Sequence, residues 1–163
     1  MKKYLVLACL SALCTAPGAW AGDWEWAAQA GASQNGGNDH TTTPVGFVGL
    51  VGPGKEWRKV RVEPVVSVGY VKGRDQAGNR DNVWLAGGGG RWRLTNERWN
   101  PLFVETVVYG THGSTHALSG NLQFGTAIGW SWEHVDVMVR HISNARIKEP
   151  NDGETMLLLG VRF

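Results

Sequence analysis

Polar and apolar residues alternate along most of this chain, most clearly in Val135-Asp136-Val137-Met138-Val139-Arg140-His141-Ile142-Ser143-Asn144. Side chains on a strand point to opposite faces with a period of two. Val135, Val137, Val139, His141 and Ser143 therefore share one face, and Asp136, Met138, Arg140 and Ile142 the other. Similar stretches predict strands over residues 23–33, 42–51, 57–72, 82–94, 100–112, 119–132, 134–144 and 154–163. Turn formers separate them: Asn35-Gly36-Gly37-Asn38, Gly52-Pro53-Gly54, residues 73–81, Thr95-Asn96-Glu97, His112-Gly113-Ser114 and Pro150-Asn151-Asp152-Gly153. The strand number is even, and many strands have the roughly 9–11 residues that cross a bilayer at a tilt. Trp24, Trp26, Trp57, Trp84, Trp92, Trp99, Trp130 and Trp132 mostly fall toward strand ends, as membrane-interface aromatics do. Gly87 to Gly90 interrupt the fourth strand, where a packing neighbour or a bend would account for them; no helix follows, which argues against a phosphate loop.

The amino-terminal residues carry a different pattern. Lys2 and Lys3 precede an apolar run from Tyr4 to Cys14, and Pro17 leads to Ala19-Trp20-Ala21, a small-x-small cleavage pattern. The expected organisation is a cleaved signal peptide over residues 1–21 and a single domain over 22–163. Cys9 and Cys14 fall in the removed segment, so disulfides and cysteine metal sites are excluded from the mature chain. The formal charge of +2 disappears with Lys2 and Lys3. Nucleic acid is not an expected partner, because no basic excess remains. No later run approaches the roughly 20 apolar residues of a membrane helix. Leu157-Leu158-Leu159-Gly160-Val161-Arg162-Phe163 instead resembles the terminal assembly signal of outer-membrane barrels. The expected fold is all-β, an eight-stranded antiparallel transmembrane β-barrel in the outer membrane. A soluble eight-stranded barrel or sandwich is the structural alternative.

The face that ends in His141 and Ser143 carries candidate chemistry. Residues two apart on a strand lie about 6.6–7 Å apart and share a face, so an imidazole can take the proton of a serine hydroxyl and activate it for acyl transfer. The base also needs a group that fixes its tautomer, normally a carboxylate. Glu154 opens the next strand after a short reversal, with Asp152 and Glu149 as substitutes. Oxyanion donors are expected from Asn144 or from groups around Asn151-Asp152-Gly153. By itself, His-x-Ser on a strand more often marks the membrane boundary beside a turn. His112 and His116 flank a Gly-Ser-Thr loop and read as loop residues rather than metal ligands. His40 falls in a polar loop and His134 in a turn. Glu105 is expected to point into the barrel and pair with Arg91, Arg93 or Arg140.

Arg140-His141-Ile142-Ser143-Asn144-Ala145, then Lys148-Glu149-Pro150-Asn151-Asp152-Gly153-Glu154 and a final strand, resembles the PagL family of lipid A 3-O-deacylases. The resemblance covers the mature length in architecture and residues 140–154 in motif. It implies an outer-membrane serine esterase that removes the acyl chain at the 3 position of lipid A, without a metal or other cofactor. His141 matches the base, Ser143 the nucleophile and Glu154 the orienting acid; Asn144 and Asn151 match asparagines near the site, Asn151 being an oxyanion candidate. In the family pattern the acid often lies four residues beyond the loop asparagine, whereas Glu154 lies three beyond Asn151. Counting back from an outward Phe163 also puts Glu154 on the inner face, so a bulge or a later strand start is needed to aim it at His141.

The site's expected place on the outer wall suits the substrate, since an eight-stranded interior is filled by side chains and cannot admit lipid A. Arg146 and Lys148 are candidates for contacts with its phosphates, or are solvated loop charges. An exposed apolar wall is compatible with a homodimer. A non-enzymatic structural or adhesive barrel is the main functional alternative, and a lipid acyltransferase barrel is a third reading.

Overall fold

Each alternating stretch becomes a strand whose two faces meet different surroundings. The computed structural model describes residues 22–36 and 41–163; the expected signal peptide with Cys9 and Cys14, and also His40, lie outside the described residues. The strands are β1 (Glu25–Asn35), β2 (Thr42–Val51), β3 (Lys55–Trp57), β4 (Val60–Val71), β5 (Val83–Leu94), β6 (Leu102–His112), β7 (Leu122–Trp132), β8 (Val135–Ser143) and β9 (Glu154–Arg162). Every pairing is antiparallel, and β9 pairs with both β8 and β1. Since β2 also pairs directly with β4, eight strands close into an up-and-down barrel. Closure leaves those eight strands without a free edge.

The expected strands match these closely, with one local difference. The third was expected to begin at Trp57, but the chain reverses at Arg58 and Lys59, with Arg58 at φ 58°. This folds β3 back on β4 through Lys55↔Val62 and Trp57↔Val60, a short hairpin outside the closed wall.

One barrel end carries the end of β1, the start of β2 and the strand connections 72–82, 113–121 and 144–153, and the other carries the start of β1 and the end of β9. Trp26, Trp57, Trp99 and Trp132 are exposed near this second end, while Trp84 stands near the first, 4.8 Å from Tyr70 ring to ring. The outer wall between is apolar: Val48, Val66, Val68, Ile128, Val139, Leu157 and Leu159 are all exposed. A soluble protein would bury such a face, whereas a membrane barrel presents it to lipid.

The interior is polar and tightly paired. Arg91 donates to Glu105 at 3.0 Å and to Asp136 at 2.9 Å, and Arg140 donates to the other Glu105 oxygen at 2.8 Å. The expected partners of Glu105 are thus Arg91 and Arg140, while Arg93 bonds Glu63 at 3.0 Å. Arg91 stacks 4.1 Å from the Phe103 centroid and Arg140 4.5 Å from that of Phe47. Glycine makes room for these rings, because a Cβ at Gly69 would collide with Phe47 and one at Gly129 with Phe103. The Gly87–Gly90 run has the same cause in part: a Cβ at Gly87 would stand 2.7 Å from the Tyr109 ring. It would also collide with the β6 backbone, as would one at Gly89, so packing neighbours explain these two glycines.

Removing one member of a buried ion network leaves its partner charged and unpaired, at a cost of about 3–5 kcal/mol. Glu105→Leu should therefore lower the urea unfolding midpoint of the detergent-solubilised barrel well below the parent's. Asp75→Asn, which breaks an exposed 3.8 Å pair with Arg80, should leave the midpoint unchanged.

Candidate active site

The β8–β9 register determines what surrounds His141. His141 stands opposite Thr155, and Ile142 stands opposite Glu154, with no extra residue inserted in either strand. On the β7 side His141 faces Thr126 and Ser143 faces Phe124. His141 and Thr155 are both exposed on the outer wall, directly beyond Val139 and Leu157. The His141 Nδ1 lies 3.0 Å from the Thr155 hydroxyl oxygen. The other edge of the ring lies against Gly153, where a Cβ would stand 2.7 Å from Cε1 and 3.0 Å from Nε2. Ser143 follows on the same face and is half-buried.

Glu154 is elsewhere. It is 1% exposed on the inner face, and Arg74 donates to both its oxygens, at 2.5 and 2.7 Å. The Ser33 hydroxyl donates to the same carboxylate. Arg74 also donates to the carbonyls of Thr41 and Ser33, each at 3.0 Å. The structure therefore does not bring Glu154 to His141: without a bulge, strand parity sends adjacent residues to opposite faces. Of the expected substitutes, Asp152 and Glu149 are exposed loop residues.

Asn144 and Asn151 hold the loop that follows Ser143. Asn144 is 1% exposed. Its Nδ2 donates to the Ser119 carbonyl at 2.8 Å, the Ser119 hydroxyl at 2.9 Å and the Lys148 carbonyl at 2.6 Å. Its backbone N–H donates to Asn151 Oδ1 at 3.1 Å. The Asn144 NH2 is thus committed to the fold, whereas the Asn151 NH2 is left for another partner. These bonds brace a chain that turns through Ala145 and Arg146, both left-handed at φ 53° and 62°, a conformation uncommon outside glycine.

Neighbouring loops complete the clamp. Asp152 N–H donates to the His116 carbonyl at 3.2 Å, Gly153 N–H to the Ala117 carbonyl at 3.0 Å, and His116 N–H to the Gly78 carbonyl at 2.7 Å. His116 is accordingly a loop residue, and among the described residues no group of three His, Cys, Asp or Glu side chains could hold a metal ion. Three loops, from residues 78, 116 and 153, are stacked by backbone bonds above the His141–Ser143 face.

An imidazole and a serine hydroxyl on one outward strand face, at the upper edge of a lipid-facing wall, suit an ester whose acyl chain lies in the membrane. A family model described as "Lipid A 3-O-deacylase (PagL)" matches residues 11–163. The chain belongs to the PagL family. PagL proteins are outer-membrane hydrolases, which agrees with the apolar outer wall of this barrel. No curated protein matches the chain.

Thr155, Arg74, Ser119 and Gly153 are the parts of this candidate site that sequence reasoning did not single out for these contacts. Thr155 was within reach, since the parity that puts Phe163 outside also puts residue 155 outside. Nothing in the local sequence around Arg74 signals that it would cross the barrel mouth to Glu154.

The loop bracing gives two checks. Asn144→Ala should free residues 145–150, so trypsin should cut the detergent-solubilised variant after Arg146 or Lys148 much faster than the parent, with the barrel core intact. Gly153→Ala would strain a φ of 71° and press on the imidazole, so its deacylase activity should fall by about tenfold or more, with barrel stability little changed.

Proposed function

We propose that this protein hydrolyses the ester linking the 3-hydroxyacyl chain to the 3 position of lipid A, with Ser143 as nucleophile and His141 as general base. The observation that supports this most is the placement of both side chains on one outward face, where the apolar wall meets the loops. Lipid A can lay its acyl chains along Val139, Leu157 and their neighbours and bring its ester bonds level with His141. It need not enter the barrel, whose interior is occupied by the arginine–carboxylate network.

The Ser143 Oγ attacks the ester carbonyl carbon, and its proton passes to His141 Nε2. The tetrahedral intermediate collapses by breaking the bond to the sugar oxygen, which takes the proton from His141 and leaves as the free 3-hydroxyl. Water then attacks the acyl-serine, His141 again accepting a proton and returning it to Ser143, and a 3-hydroxy fatty acid is released. The Asn151 NH2 is the side-chain donor available to the oxyanion, while Asn144 positions the loop that carries Asn151. Arg146 and Lys148 are exposed in that loop, where their charges would meet the phosphates of lipid A. No cofactor enters the sequence of steps. Residues 1–21 would serve as the cleaved export signal.

Mass spectrometry of lipid A from a host expressing the parent should show loss of one 3-hydroxyacyl group. Ser143→Ala and His141→Ala, folded in the same membrane, should leave lipid A intact. Deacylation by the Ser143→Ala protein, in cells or in detergent, would rule out the serine mechanism.

A further inference from the structure

We infer that Thr155 orients His141, so that the site works with an uncharged hydroxyl where a serine esterase ordinarily has a carboxylate. This rests on the deacylase reading above and deepens it.

Three observations point the same way. Thr155 stands directly across the ladder from His141, and its hydroxyl is 3.0 Å from Nδ1. Glu154, the nearest carboxylate in sequence on that strand, has both oxygens engaged by Arg74 inside the barrel; reaching His141 would require it to change faces. Among the described residues, no Asp or Glu forms an ion pair with His141. The Cε1–Nε2 edge of the ring lies beside Gly153, where an added Cβ would meet it, so the bond at Nδ1 is the side-chain contact that orients it.

The exchange of carboxylate for hydroxyl has a chemical consequence. An ionised carboxylate only accepts hydrogen bonds, so it enforces the tautomer with the proton on Nδ1 and Nε2 free to act as base. A threonine hydroxyl both donates and accepts. When it accepts from Nδ1–H, His141 is the competent base. When it donates to Nδ1, the ring proton sits on Nε2 and the base is blocked. After His141 has taken the Ser143 proton, both ring nitrogens are donors, and Thr155 holds the imidazolium by a charge-assisted bond without a counter-charge. Thr155 is therefore a positioning residue that selects the working tautomer less strictly than a carboxylate would.

The experiment uses the full barrel in detergent with purified lipid A, measuring kcat and KM for Thr155→Val, Thr155→Ser, Thr155→Glu and Ser143→Ala. Heat-modifiable electrophoretic mobility reports folding. Valine keeps the branched shape without the hydroxyl, so kcat should fall about tenfold with KM within about twofold. Serine restores the hydroxyl and should keep kcat within about threefold of the parent. Glutamate should equal or exceed the parent, because it accepts only. Parent-like kcat in folded Thr155→Val would overturn the proposal, and so would a folded Thr155→Glu with no turnover. If the valine variant does not fold, the serine and glutamate variants decide alone, loss of turnover in either folded variant being the contrary result. Turnover by Ser143→Ala would instead sink the underlying serine mechanism, and absence of turnover by the folded parent the deacylase reading itself, whatever Thr155 does.

Discussion

A side chain on a closed barrel strand has two destinations, the interior or the lipid, and its neighbour must take the other. Most of this structure follows from that constraint. On β8 it sends Asp136, Met138, Arg140 and Ile142 inward and Val139 and His141 outward. The inward set helps form a buried polar core, with Glu105 and Asp136 neutralising Arg91 and Arg140. The outward set makes an apolar wall that ends in His141 and Ser143, the proposed base and nucleophile. The same alternation therefore supplies stability on one side and chemistry on the other.

The polar interior also explains why the site is where it is. Arginines stacked on Phe47 and Phe103 fill the lumen, with paired glycines on the adjacent strands admitting the rings. Such a core braces the wall rigidly but excludes substrate. Reactive groups on this scaffold must lie outside, and their precision then depends on what fixes them at the rim. Here the bracing is the loop clamp, in which Asn144 and the backbone of Asp152 and Gly153 tie the segment after Ser143 to the 113–121 loop, which is itself bonded to the 72–82 loop. Two left-handed residues sit within this clamp, which is a further sign that the loop's path is imposed by its partners rather than by local preference.

Glu154 and Thr155 show how adjacent residues acquire unrelated tasks. Glu154 closes the mouth of the barrel by joining β9 to Arg74 of the 72–82 loop and to Ser33 of β1. Thr155 meets His141 on the outside. A one-residue shift of β9 would exchange them, and the regular ladder from Val135↔Val161 to Ile142↔Glu154 resists such a shift along its whole length.

The sequence by itself determined the strands, their alternation and the outward face shared by His141 and Ser143, because a period of two is a local property of the chain. It also carried a warning about Glu154: the spacing from Asn151 was one residue short, and parity from Phe163 placed the glutamate inside. What it could not supply were contacts between residues distant in the chain. Only the tertiary structure decided that Arg74 claims Glu154, that Asn144 is consumed by Ser119 and Lys148, and that Thr155 is the group at His141 Nδ1. Each of these depends on register and loop packing, which are set by the closure of all eight strands together and by no single stretch of sequence.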